Sequence, residues 1–194
     1  VREEGNNVVV TANYKLGCFD QAVWTISPDG TAAIDFTYNF SGVVDLMGVM
    51  FDYPEDKVLS KRWVGDGPYR VWQNRLHGPQ LGVWENEYND PIPAESFTYP
   101  EFKGYFANVQ WMTLETQEGM ISICNRTPQN YVGVYQPRDG RDGLLYTFPV
   151  TGISLMKVIP PVRNKVNTTD LIGPSSQAFW ADGEYGGGIT LKFE

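Results

Sequence analysis

Apolar and polar residues alternate with a period of two through most of this chain, and Gly, Pro, Asn and Asp interrupt the alternation every few residues. A helix needs an apolar stripe recurring every three to four residues, and no stretch of ten residues carries one. The alternation predicts strands at residues 7–14, 46–53, 57–63, 69–75, 81–85, 131–136, 144–148, 153–159 and 188–193. Residues 21–40 read as a hairpin through Pro28-Asp29-Gly30, and 107–125 as another through Gln117-Glu118-Gly119. Residues 86–101 read as a long polar loop. About a dozen short strands with turn signals between them predict an all-β sandwich or barrel.

Composition supports that class. Aromatic residues make up 14% of the 194 positions, with 6 Trp, 11 Tyr and 10 Phe, and such side chains pack well on pleated surfaces. The length suits a single domain spanning 1–194. Residues 1–7 read as the remnant of a linker, which implies a processed chain or an excised fragment. A net charge of −8 opposes binding to nucleic acid or to an anionic membrane surface. No run of about 18 apolar residues predicts a membrane span. Cys18 and Cys124 read as two separate buried thiols, although a disulfide between distant strands would also fit. His77 is the single histidine, so a zinc site would lack ligands and a nucleophilic triad would have to use it. No metal or cofactor is expected.

The run from Arg62 to Arg75, RWVGDGPYRVWQNR, combines two tryptophans, two glycines and a proline. Gly65 and Gly67 allow either positive φ or close approach of another group. Pro68 biases Gly67 to extended geometry. Trp63 and Trp72 bracket this turn, and their indoles suit either core packing or stacking on a flat ligand face. Trp24 and Trp111 lie in alternating strands and read as core or half-buried. Trp180 lies in the Gly-rich run 179–188, read as a loop, where packing gives little reason for a large aromatic; an indole there suits the apolar face of a sugar ring. Glu85 and Glu87 share one side of their strand and form a carboxylate pair, but a solvated strand end accounts for both.

Trp63-Val64-Gly65-Asp66-Gly67-Pro68, with Asn74-Arg75 shortly after, resembles the W-x-G-x-G-P turn and following Asp/Asn-Arg pair in the C-terminal domain of family-two β-galactosidases. Tyr99-Pro100-Glu101-Phe102-Lys103-Gly104 is similar to that family's Pro-(Gln)-Glu-x-Gly segment. The Pro28-Asp29-Gly30 hairpin and the segment Phe148 to Leu155 fall where the family places its own upstream hairpin and later strand. The likeness runs from about residue 20 to the end and is nearest to enzymes of polysaccharide-degrading gut bacteria. The family's later His-x-x-Asp-Leu segment is missing, and Ser154-Leu155-Met156-Lys157 stands in that region.

The resemblance implies an antiparallel supersandwich similar to the galactose mutarotase fold, at the end of a multidomain glycoside hydrolase. It implies a non-catalytic domain that packs on a catalytic barrel and helps shape a carbohydrate site, in a periplasmic or extracellular enzyme. In the family this domain lends a tryptophan from a late loop to the sugar site, and by position that role falls to Trp180. Carbohydrate-contacting residues are thus expected among Trp180, Trp72 and Trp63, with a β-galactoside or plant-polysaccharide oligomer and the other domains of the same polypeptide as partners. An autonomous carbohydrate-binding module would use the same aromatics. An epimerase acting through His77 would need a carboxylate beside it.

Overall fold

A computed structural model describes residues 1–88, 103–135, 152–161 and 177–194. Twelve strands are found among these residues, all paired antiparallel, in two sheets. Four come in sequence at one end of the large sheet: β1 (Arg2–Glu4), β2 (Asn7–Asn13), β3 (Phe19–Ile26) and β4 (Thr31–Val44). The residues expected to be linker thus include an edge strand, turned by Gly5 at φ 61. The Pro28-Asp29-Gly30 turn closes the β3–β4 hairpin as expected: Gly30 takes φ 85, and the Thr31 N–H donates to Asp29 Oδ1 at 3.1 Å.

The other end of the large sheet holds β6 (Val58–Gly67), β7 (Gln80–Glu87), β8 (Trp111–Thr116) and β9 (Gly119–Asn125). The last strand, β12 (Phe179–Phe193), joins the halves, giving the order β1-β2-β3-β4-β12-β9-β8-β6-β7. A second sheet, β10-β11-β5, is built from β10 (Tyr131–Gly133), β11 (Ile153–Val158) and β5 (Met47–Phe51). One 3₁₀ turn, Glu55–Lys57, precedes β6.

Two further expectations change. Residues 69–75 do not form a strand; Val71 bridges Tyr105 and Trp72 bridges Arg75, because the chain turns sharply after Pro68. The Gly-rich run 179–188 is strand, not loop. Its glycines serve close packing: a Cβ at Gly187 would lie 2.8 Å from the Phe36 ring and 2.9 Å from the Asn130 amide. The strand expected at 144–148 lies outside the described residues, as does most of the loop expected at 86–101.

The core lies between the sheets. Ile34, Phe36 and Tyr38 of β4, Ile189 and Leu191 of β12, Met112 and Leu114 of β8 and Trp63 of β6 point inward onto Ile153 and Leu155 of β11. The alternate residue of β11, Met156, is buried with Val71, Trp72, Tyr105 and Ile159. The small sheet is therefore covered on both sides, as in a sandwich with a third, partial layer.

Burial in this core raises the Tyr38 phenol from 10.0 to about 12, with Tyr185 adding to the rise, and burial also raises Tyr105 and Tyr131. Unfolded tyrosines ionise first, so the folded state keeps protons that the unfolded state loses. Stability should therefore be intact below pH 10 and fall as pH climbs from 10 towards 12. The share of the tyrosinate absorbance that comes from these three phenols should develop late and together with loss of structure; its full development with the fold intact would contradict this.

Candidate functional site

The W-x-G-x-G-P run forms the end of β6 and the turn after it. Trp63 points inward and is fully buried, 4.8 Å from the Phe106 ring, and its Nε1–H donates to the Asp66 carbonyl at 3.0 Å. Trp84 on the neighbouring strand donates Nε1–H to the Gly65 carbonyl at 3.2 Å. Both glycines are here for close approach. A Cβ on Gly67 would lie 2.6 Å from the Trp84 indole, and one on Gly65 would meet the backbone of residues 107–109 at 3.0–3.2 Å. The Gly67–Pro68 peptide is cis. Trp72 is buried against Tyr105 at 5.7 Å. Neither indole has an open face, so their burial favours core packing for Trp63 and Trp72 over the sugar contact expected of them.

Trp180 is placed differently. Among the described residues, β4 and β12 continue beyond Tyr38 and Tyr185 as a two-stranded ribbon, because β3 pairing ends at Tyr38 and β9 pairing begins only at Ile189. The ribbon's inner side is anchored by Ala181, which is fully buried. Its outer side carries Trp180 opposite Val43, Asp182 opposite Ser41 and Glu184 opposite Asn39, all six exposed. Trp180 has 65% of its surface open to solvent. An apolar plate of indole and Val43 beside two carboxylates, a hydroxyl and an amide can stack on a ring face and accept or donate hydrogen bonds to its hydroxyls.

A cluster not anticipated in the sequence lies under the turn. Lys61, Arg70 and Lys103 are all buried, as is Glu55. Glu55 takes an ion pair from Lys103 and a hydrogen bond from the Tyr88 hydroxyl. Lys61 Nζ donates to the Glu87 carbonyl at 2.7 Å and sits 5.3 Å from the centre of the Tyr135 ring, with the Arg70 guanidinium 5.6 Å from the same ring. A signal existed: by alternation along β6, Lys61 shares the inner face with Trp63.

The remaining candidates separate. Glu85 and Glu87 are exposed strand positions, and Glu85 faces Arg62 at 3.9 Å. His77 is exposed, and among the described residues no ion pair joins it to a carboxylate. Cys18 and Cys124 are free and exposed, not buried, because Cys18 lies in the turn before β3 and Cys124 points outward from β9. Trp24 and Trp111 are half-buried as read. Among the described residues no group of three or more His, Cys, Asp or Glu could hold a metal, and no helix is long and apolar enough to cross a membrane. A search of curated proteins returned no match. The family model for the beta galactosidase small chain matches residues 1–154, which takes in the W-x-G-x-G-P turn and ends within β11, before β12 and Trp180.

Proposed function

This chain belongs to the beta galactosidase small chain family, and we propose on that premise that it is a non-catalytic domain of a β-galactosidase-like hydrolase, with Trp180 as one wall of the carbohydrate site. The observation that carries this reading is the ribbon of β4 and β12. It holds a large indole in the open on a rigid ladder, beside hydrogen-bonding groups on the same face. A rigid stacking wall limits the poses available to a substrate, and so brings the bond to be cut towards the catalytic groups of another domain.

A Trp180→Ala variant of the complete hydrolase should raise KM for β-galactosides about tenfold, which corresponds to about 1.4 kcal/mol. Its melting temperature should not move, because the side chain is exposed. An unchanged KM would remove Trp180 from the site. A second reading, an autonomous carbohydrate-binding module, draws on the fact that the platform is contained within one ribbon of this chain. The two are separated by tryptophan fluorescence of the 194-residue chain titrated with galactose, lactose and plant-polysaccharide oligomers. A saturable change abolished by Trp180→Ala favours the module, and no change favours the wall.

A further inference from the structure

The turn that Gly65 and Gly67 allow leaves a cleft of about 200 Å³ on its outer side, lined by Asp66, Leu76, Asn108, Gln129, Pro128 and Tyr131. None of these residues belongs to the Trp180 ribbon. We propose that this cleft is a separate binding subsite for a single neutral sugar ring.

Three observations carry the inference. The first is chemical. Asp66 offers a carboxylate, Asn108 and Gln129 offer amides, and Tyr131 offers a phenol, while Leu76 and Pro128 supply apolar wall. Ringed hydroxyls need acceptors and donors together, with an apolar surface for the C–H face of the ring. An anionic ligand would face the Asp66 carboxylate. The Tyr131 phenol can both donate and accept.

The second observation is how the groups are held. The Asp66 N–H donates to the Ala107 carbonyl at 2.9 Å, and the Asn108 Nδ2–H donates to Asp66 Oδ2 at 2.6 Å. Gln110 Nε2–H reaches the Asn108 carbonyl at 3.3 Å. Two polar side chains from separate segments are thereby fixed relative to each other before any ligand arrives, which lowers the ordering cost of binding.

The third is conformational. Asn108, at φ 51, is the single non-glycine residue in the left-handed region among the described residues. Asn tolerates that region better than most residues, but the conformation still has a cost, and such positions concentrate at binding and catalytic sites. Glycine would meet the backbone need at lower cost. The asparagine adds an amide that points to Asp66 at the cleft.

The test is a calorimetric or NMR titration of the 194-residue chain with galactose, glucose and xylose separately, with glycerol as an additive control. At least one sugar should bind saturably, with Kd on the order of millimolar. Gln129→Ala should weaken that binding about tenfold, as for a lost hydrogen bond to a bound hydroxyl. Asn108→Gly should do the same while keeping the fold, because glycine adopts the left-handed conformation readily and the change removes the amide with its hydrogen bond to Asp66. Trp180→Ala should leave it unchanged. Absence of saturable binding by all three sugars would overturn the proposal, as would binding that survives both cleft substitutions. Binding lost only in Trp180→Ala would overturn the cleft and support the ribbon, so the two sites stand or fall separately.

Discussion

Glu55→Ala should lower the stability of this domain by about 3–5 kcal/mol, the usual cost of removing one partner from a buried ion pair. The side chains of Glu55 and Lys103 are only 7% and 9% exposed. Taking away the carboxylate leaves the Lys103 ammonium in a nearly dry site and removes the acceptor of the Tyr88 hydroxyl. For a domain of this size the loss corresponds to a melting temperature lower by roughly 10 °C. Glu55→Gln keeps an acceptor and gives up only the charge, so it should fall between the wild type and the alanine variant. Thermal melts at low and high salt check the argument. A buried pair is screened little, so the deficit should persist in salt, unlike that of the exposed Lys57–Glu118 pair at 2.5 Å. A Glu55→Ala melt within about 2 °C of wild type would mean that Lys103 finds other solvation at little cost.

Trp63→Ala should cost a similar amount, about 3–5 kcal/mol, for a different reason. The residue is fully buried, packs edge-on to Phe106 and lies across from Met112 and Trp84 on the flanking strands. Truncation opens a cavity at the centre of the sandwich and removes the donor held by the Asp66 carbonyl. Trp63→Phe fills most of the space but restores no N–H, so it should lose less. Denaturant titration should show a lower midpoint with the slope unchanged, since the surface exposed on unfolding is the same. Trp180→Ala in the same experiment should be neutral. If Trp63→Ala were the neutral one, the inward placement of β6 would be wrong.

Much of the strand framework was legible from the chain, because tight turns carry their chemistry in the sequence. Pro28-Asp29-Gly30 and Gln117-Glu118-Gly119 marked the two hairpins, and in the structure the alternation along them puts Ile34, Phe36, Ile121 and Ile123 in the core. What the chain concealed has two causes. Glycine reads as loop, yet in β12 it lets a strand pass close to Phe36 and Asn130, and only the neighbours reveal that. Burial of charge depends on what converges from elsewhere. Lys61 is an ordinary strand lysine until Tyr135, Glu87 and Arg70 gather around it. The tryptophans divide for the same reason. Trp63 and Trp72 lie under a covering layer, while Trp180 lies on a ribbon that extends beyond its neighbours, and sequence spacing distinguishes neither case.

The place of β12 sets the order in which this molecule can assemble. Strands β1 to β4 follow one another through short connections, and β6 to β9 pair among themselves, but among the described residues neither half touches the other through a backbone ladder until β12 enters between β4 and β9. Every route to the native sheet thus waits for a contact between residues about 150 positions apart, such as Ile34 with Ile189, and that makes closure slow relative to the local hairpins. Until then β4 and β9 are both open edges, each a template for the wrong strand. On the ribosome the two halves would wait, edges bare, for the final segment of the sheet to emerge. The family-matched span, residues 1–154, lacks the strand that joins the two halves, so a chain stopped before residue 179 should aggregate more readily than the 194-residue chain, which light scattering of the two would show.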